Sequence, residues 1–225
     1  PLAKIILLGF SASMLPLFPL QGLYVAAVTR LPAYIATCFA VLLPAAGLLG
    51  LMDALPGLPA GVLRGIRALA LFGAVYGSLR ALEQSRFIPL VAYASLSFYS
   101  VLWWHIASAG SLLAEAALFF SAAVLVTVGL LLAWGRVQAR YGDWPLDQMR
   151  GLARPMPRFA TILALLALAA AGLPPFGLFS RYLGMLLHLG GEVSWDLGVG
   201  LVTWFAASFF FFRLMQQLLF VAARE

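Results

Sequence analysis

Of the 225 residues, 64% are hydrophobic and only 10% are charged, far below the roughly 25% charged residues of a soluble domain. That excludes a water-soluble globular protein and leaves one polytopic membrane domain, residues 1–225, with room for about seven or eight helices at ~20 apolar residues each. The net charge of +6 does not imply nucleic acid, because the arginines lie scattered between apolar runs and build no basic face; membrane topology accounts for them.

In chain order, the first apolar run, Ile5 to Thr29, contains Pro16 and Pro19, which predicts a helix ending near Leu15. A second helix covers Leu31 to Met52 with Pro44 inside it, and "DALPGLPAG" (Asp53–Gly61) reads as a turn-rich loop. A third helix is expected over Val62–Leu82, a polar link at Glu83–Arg86, a fourth helix over Phe87–Ala107 and a fifth over Ser111–Gly135. Arg136 to Arg158 is a long polar stretch with five arginines against Asp143 and Asp147. A sixth helix begins near Phe159 and runs into Leu173-Pro174-Pro175; a seventh covers Phe176–Leu189; Gly190–Asp196 leads to a last helix over Leu197–Val221. Threading these elements back and forth puts Arg30, Arg80, Arg86 and the 136–158 loop on one face, which the excess of arginine marks as the cytoplasmic or matrix side.

The Pro174-Pro175 pair interrupts an apolar run, and proline removes a backbone donor and blocks a helical turn. Hydrocarbon cannot satisfy the freed groups, so such a break survives only where protein or a water-filled cavity covers it. Two readings stay open: an ion site at exposed helix ends, or a packing kink. Arg181, shortly after the break, is a functional candidate if it lies at membrane depth and a snorkelling cation if it does not. Glu115 stands near a helix start, as a proton carrier or an interfacial residue. His105 follows two tryptophans and reads as the polar tip of an aromatic belt. The single cysteine, Cys38, and the distant histidines His105 and His188 offer no disulfide and no metal site. No nucleophile–base pair or phosphate-binding loop is visible, so the sequence shows no catalytic group and no cofactor motif of its own.

Four stretches in order resemble the antiporter-like subunits of respiratory complex I, and most nearly chain 2 of NADH:ubiquinone oxidoreductase (chain N in bacteria). They are "MLPLFPLQGLYVAAVTRLPAYIATCFAVLLPAAGLLGL" (Met14–Leu51), "LEQSRFIPLVAYASLS" (Leu82–Ser97), "GLARPMPRFATILALLALAAAGLPPFGLFSRYLGM" (Gly151–Met185) and "FFFFRLMQQLLF" (Phe209–Phe220), the last with Arg213 at the family's arginine. The resemblance implies an all-α, partial antiporter-like fold that lacks the first helices of full-length relatives. It also implies a membrane-arm subunit of the proton-pumping NADH:ubiquinone oxidoreductase. Its partners would be the other membrane-arm subunits and membrane lipids, cardiolipin among them, in a mitochondrial inner membrane or, as the alternative, a bacterial plasma membrane.

The departures from the family pattern are specific. The resemblance matches one membrane lysine to Pro44, another to Ile88 with its arginine at Pro89, and the lysine of the first segment to Ser11. Gln21 stands at a histidine and Thr29 at an acid. The last lysine becomes Arg181. Lysine can release a proton when buried, whereas guanidinium stays charged at any accessible pH. The expectation is therefore a chiefly structural subunit with its proton path lost. The competing expectations are an antiporter-like subunit of another ion-translocating complex, working through Glu115 and Arg181, and a free-standing membrane scaffold.

Overall fold

The computed structural model describes residues 2–142, 145, 146, 156–189 and 195–215. Most of the expected arginine-rich loop, the Gly190–Asp196 connector in large part, the end of the last helix and the side chains of His188 and Arg213 lie outside the described residues. Among the described residues the chain is helical throughout: α1 (Leu2–Met14), α2 (Gly22–Arg30), α3 (Ala33–Ala54), α4 (Ala60–Glu83), α5 (Phe87–Ala109), α6 (Ala114–Tyr141), α7 (Pro157–Ala170), α8 (Gly177–Leu189) and α9 (Trp195–Met215). Four of these, α3 to α6, are each long and apolar enough to cross a membrane alone.

Proline and glycine set many of the boundaries. Leu31 is extended (φ −85°, ψ 153°) before Pro32, which opens α3, because a residue preceding proline is driven out of the helical region. Pro59 opens α4 in the same way. Gly110 closes α5 in the left-handed region (φ 70°), its N–H donating to the Ile106 carbonyl at 2.9 Å, the usual glycine stop. The polar stretch after Gly135 does not start as a loop: α6 continues through Arg136 and Arg140 to Tyr141.

Short helices pair up to make crossings. A helix of 13 residues is about 20 Å long, too short for a hydrocarbon core of about 30 Å. Yet α1 and α2 both pack along α3, and α7 and α8 both pack along α6. Each pair with its interruption therefore forms one broken crossing, giving seven crossings from the nine described helices. The sixth and seventh sequence segments are halves of the same span.

This arrangement agrees with the charge-based topology. The Lys4 ammonium donates to the Pro56 carbonyl, tying the start of α1 to the loop after α3. On the opposite face, the Leu146 N–H donates to the Ser85 carbonyl at 2.8 Å, joining the link before α5 to the segment after α6. Arg30, Arg80, Arg86, Arg136 and Arg140 collect on that second face.

The core is centred on α5, which is buried along nearly its whole length and touches α2, α4, α6, α8 and α9. Phe87 stacks on Trp134 with ring centroids 4.3 Å apart, and Tyr24 meets Tyr99 edge-on at 5.8 Å. Several buried hydroxyls find partners inside the bundle, where hydrocarbon offers none. Tyr24 and Ser95 share a hydrogen bond of 3.0 Å, and Ser78 and Ser97 one of 2.9 Å.

Candidate functional site

The site is built on the two broken crossings, where backbone groups are released inside the bundle. At the first break, between α1 and α2, the Leu15 N–H still reaches the Ser11 carbonyl, and Leu17 donates to Ala12. The Leu15 carbonyl accepts a hydrogen bond of 3.0 Å from the Trp103 indole N–H on α5. The break is also pressed against α3. A Cβ placed on Gly47 would lie 2.3 Å from the Leu15 nitrogen and 2.9 Å from the Ser11 carbonyl oxygen. Only glycine lets the two backbones come so close. One turn on, Gly50 faces the Ser11 hydroxyl, which donates to the Leu7 carbonyl at 2.8 Å. At Leu15 the first break is sealed against α3, while Pro19, Leu20 and Gly22 beyond it are exposed.

At the second break, Ala171 and Gly172 end α7 and Leu173, Pro174 and Pro175 are exposed. The Ser208 hydroxyl of α9 donates to the Ala171 carbonyl at 2.8 Å. Both joints thus have a side chain from a neighbouring helix on a released carbonyl, an indole in one and a hydroxyl in the other.

On the far side of the second break, Arg181 Nη1 meets Glu115 Oε2 at 3.1 Å and Oε1 at 3.4 Å, an ion pair whose side chains are 40% and 37% exposed. The two residues, weighed separately from the sequence, form one unit between α8 and α6. Gly184, one turn after Arg181, makes room for the carboxylate: a Cβ there would lie 2.9 Å from Glu115 Oε2. At this exposure the coupling should be roughly 1 kcal/mol or less. A thermal-stability cycle of Glu115→Gln, Arg181→Met and the double variant should therefore give less than additive losses. Strict additivity would show that the two groups do not interact.

His105 is not the polar tip of a lipid-facing belt. It is fully buried on α5, with Trp103 and Trp104 buried beside it. The tryptophan pair that resembles an interface belt in sequence belongs to the core, and one of the two caps the first break.

Residues 2–210 match the transmembrane family of NADH:quinone oxidoreductase and Mrp antiporter proteins. The chain belongs to this family. Subunit N of the NADH-quinone oxidoreductase of Geobacter metallireducens is 31% identical over 178 residues, which cover 74% of this chain and 37% of that protein. A chain of respiratory complex I from Thermus thermophilus matches with a TM-score of 0.87 at 26% identity, over 99% of this chain and 50% of that one. A chain of the Mrp complex from Dietzia sp. shares the fold, with a TM-score of 0.85 at 19% identity. The chain thus spans a third to a half of the length of these relatives.

The positions that the sequence resemblance singles out fall at well-defined places. Pro44 is buried in the middle of α3, and Ile88 is half-buried in the first turn of α5. Ser11 lies fully buried on the sealed α1–α3 contact. Gln21 occupies the cap position of α2 without a side-chain capping bond. The Thr29 hydroxyl turns back onto the Val25 carbonyl at 2.7 Å. Cys38 is exposed, and no cluster of histidine, cysteine or acidic residues suited to a metal ion occurs among the described residues. What sequence reasoning missed is Trp103 as the cap of the first break and Ser208 as that of the second. Each partner lies tens of residues away in the chain, and no local pattern announces it.

Proposed function

We propose that this protein is a membrane-arm subunit of a bacterial respiratory complex I, of the chain 2 or N type, that holds neighbouring subunits together without conducting protons through its own lysine path. Sequence and fold similarity to subunit N and to a complex I chain support the assignment to that assembly. The observation that carries the structural role is the sealed first break. With Gly47 against Leu15, Trp103 on its carbonyl and serine at residue 11, the joint is tightly packed at Leu15 and residues 15–21 carry no titratable side chain. Pro44 and Ile88, at the positions the resemblance gives to lysines, supply no proton-carrying group and no partner for bridging waters. Arg181 carries a planar guanidinium, a fixed donor fork rather than the proton-exchanging amine of lysine. It serves as a fixed cation latched to Glu115.

The relatives named above are bacterial, which favours the plasma membrane over a mitochondrial inner membrane. The arginines of the cytoplasmic face, Arg30, Arg136 and Arg140 among them, suit anionic lipid headgroups such as cardiolipin. The expected partners are the neighbouring antiporter-like and small membrane subunits.

Native electrophoresis of mildly solubilised membranes tests the assignment. The chain should co-migrate with in-gel NADH dehydrogenase activity. Migration apart from that activity would remove it from complex I and favour the other ion-translocating complexes of the same family. In that case transport abolished by Glu115→Gln would assign the carboxylate a carrier role.

A further inference from the structure

We propose that the groove between α7 and α9 is a lipid site, holding one acyl chain of an anionic phospholipid from the cytoplasmic leaflet with its phosphate at Arg158. The inference needs only that the chain spans a membrane, and it stands in whichever complex the protein assembles. The groove has a volume of about 420 Å³, with Ala167 and Ala171 of α7 facing Phe205, Phe209, Phe212 and Met215 of α9. Alanine at 167 and 171, one turn apart, keeps the α7 wall low. Phenylalanine at 205, 209 and 212, spaced i, i+4 and i+7, raises the wall opposite. These three rings are 74%, 61% and 50% exposed, so the groove opens out of the bundle towards the membrane.

Its dimensions select the occupant. From Phe205 to Met215, α9 rises about 15 Å, half of a hydrocarbon core of about 30 Å and so the depth of one leaflet. Spread over that length, the volume has a mean section of roughly 30 Å². A helix with its side chains is about 10–12 Å across and is too wide for such a slot, whereas an extended hydrocarbon chain fits. The lining is apolar apart from Ser208, whose hydroxyl has spent its proton on the Ala171 carbonyl at 2.8 Å. That bond also sets Ala171 level with Ser208. From there α9 runs towards Met215 alongside α7 as it leads back to Pro157, on the face where α6 ends.

Apolarity alone would retain no lipid, since bulk acyl chains are as apolar as the groove. Packing between two fixed walls adds dispersion contacts, and the headgroup supplies the preference. Arg158 is exposed in the first turn of α7, about 14 Å along the helix from Ala167. It lies within about a quarter turn of Leu168, which also lines the groove. A phospholipid whose phosphate meets this guanidinium can therefore lay its tail between the alanines and the phenylalanines. Guanidinium offers phosphate a matched fork of donors, at the leaflet surface where anionic headgroups lie.

The test reconstitutes the membrane complex, purified through this chain, in nanodiscs of phosphatidylglycerol with brominated acyl chains, and images it by cryo-EM. The map should show one brominated chain in the groove, continuous with phosphate oxygens about 3 Å from the Arg158 guanidinium nitrogens. Leu168→Trp, which fills the groove from a half-buried position, should displace that chain. Arg158→Gln should lower its occupancy about fivefold. A groove occupied by side chains of a neighbouring subunit, by an isoprenoid tail without bromine, or by no ordered density would overturn the proposal. So would an occupancy unchanged in Arg158→Gln, a surface substitution that keeps the test open should Leu168→Trp fail to assemble.

Discussion

Gly47→Ala should be among the most damaging single changes in this chain, lowering its stability by at least about 2 kcal/mol. Alanine in place of glycine normally favours a helix by roughly 1 kcal/mol. Here the added methyl would sit 2.3 Å from the Leu15 nitrogen and 2.7 Å from its Cβ, well inside van der Waals contact. The nearest atom is backbone and cannot rotate aside, so α1 and α3 must separate. Overpacking costs typically reach about 1–3 kcal/mol and sometimes more, enough to exceed the propensity gain. The check is the thermal midpoint of the purified complex, with Gly9→Ala as control. Gly9 lies on α1 with nothing within 4 Å of its Cβ position, so that variant should be neutral or slightly stabilising. Equal midpoints for the two variants would refute the close approach of α1 to α3 and, with it, the seal on the first break.

Trp103→Phe should cost about 2–4 kcal/mol, combining a cavity in the core with the loss of a hydrogen bond to a carbonyl that has been released from its helix. Trp103 is fully buried, and its indole N–H is the side-chain donor on the Leu15 carbonyl. Trp134→Phe is the informative comparison. Trp134 is equally buried and stacks on Phe87, but its indole N–H has no protein hydrogen-bond partner. Both substitutions remove similar volume, so the excess loss at Trp103 measures the cap. Hydrogen exchange over residues 15–21 should also rise in Trp103→Phe and stay unchanged in Trp134→Phe. Losses of equal size, with no local change in exchange, would show that the first break does not depend on this bond.

How legible the protein was in its sequence varies with the kind of feature. Helix existence, the membrane setting and the arginine-rich face follow from local composition, because an apolar run of this length has few other stable forms. The boundaries at Leu31-Pro32, Pro59 and Gly110 follow from backbone chemistry that proline and glycine impose on themselves and their neighbours. Trp103 and Trp104, with His105 after them, mislead: the same residues that mark a membrane interface also fill a core, and periodicity in α5 cannot separate the two because nearly every face is buried. The Arg136–Tyr141 segment reads as loop by polarity, yet it extends α6 as a charged last turn beyond the hydrocarbon.

By itself, the sequence determined that this is an all-helical membrane chain of the antiporter-like family, with prolines where two crossings break. Only the tertiary structure decided that the four short helices form two crossings, that one joint is packed against Gly47 and capped by Trp103 while the other is capped by Ser208, and that Glu115 and Arg181 are one ion pair. The reason is physical. Helix formation and membrane insertion depend on residues within a few turns of each other, whereas capping, sealing and pairing depend on groups 32 to 88 positions apart in the chain, which meet only once the bundle has packed.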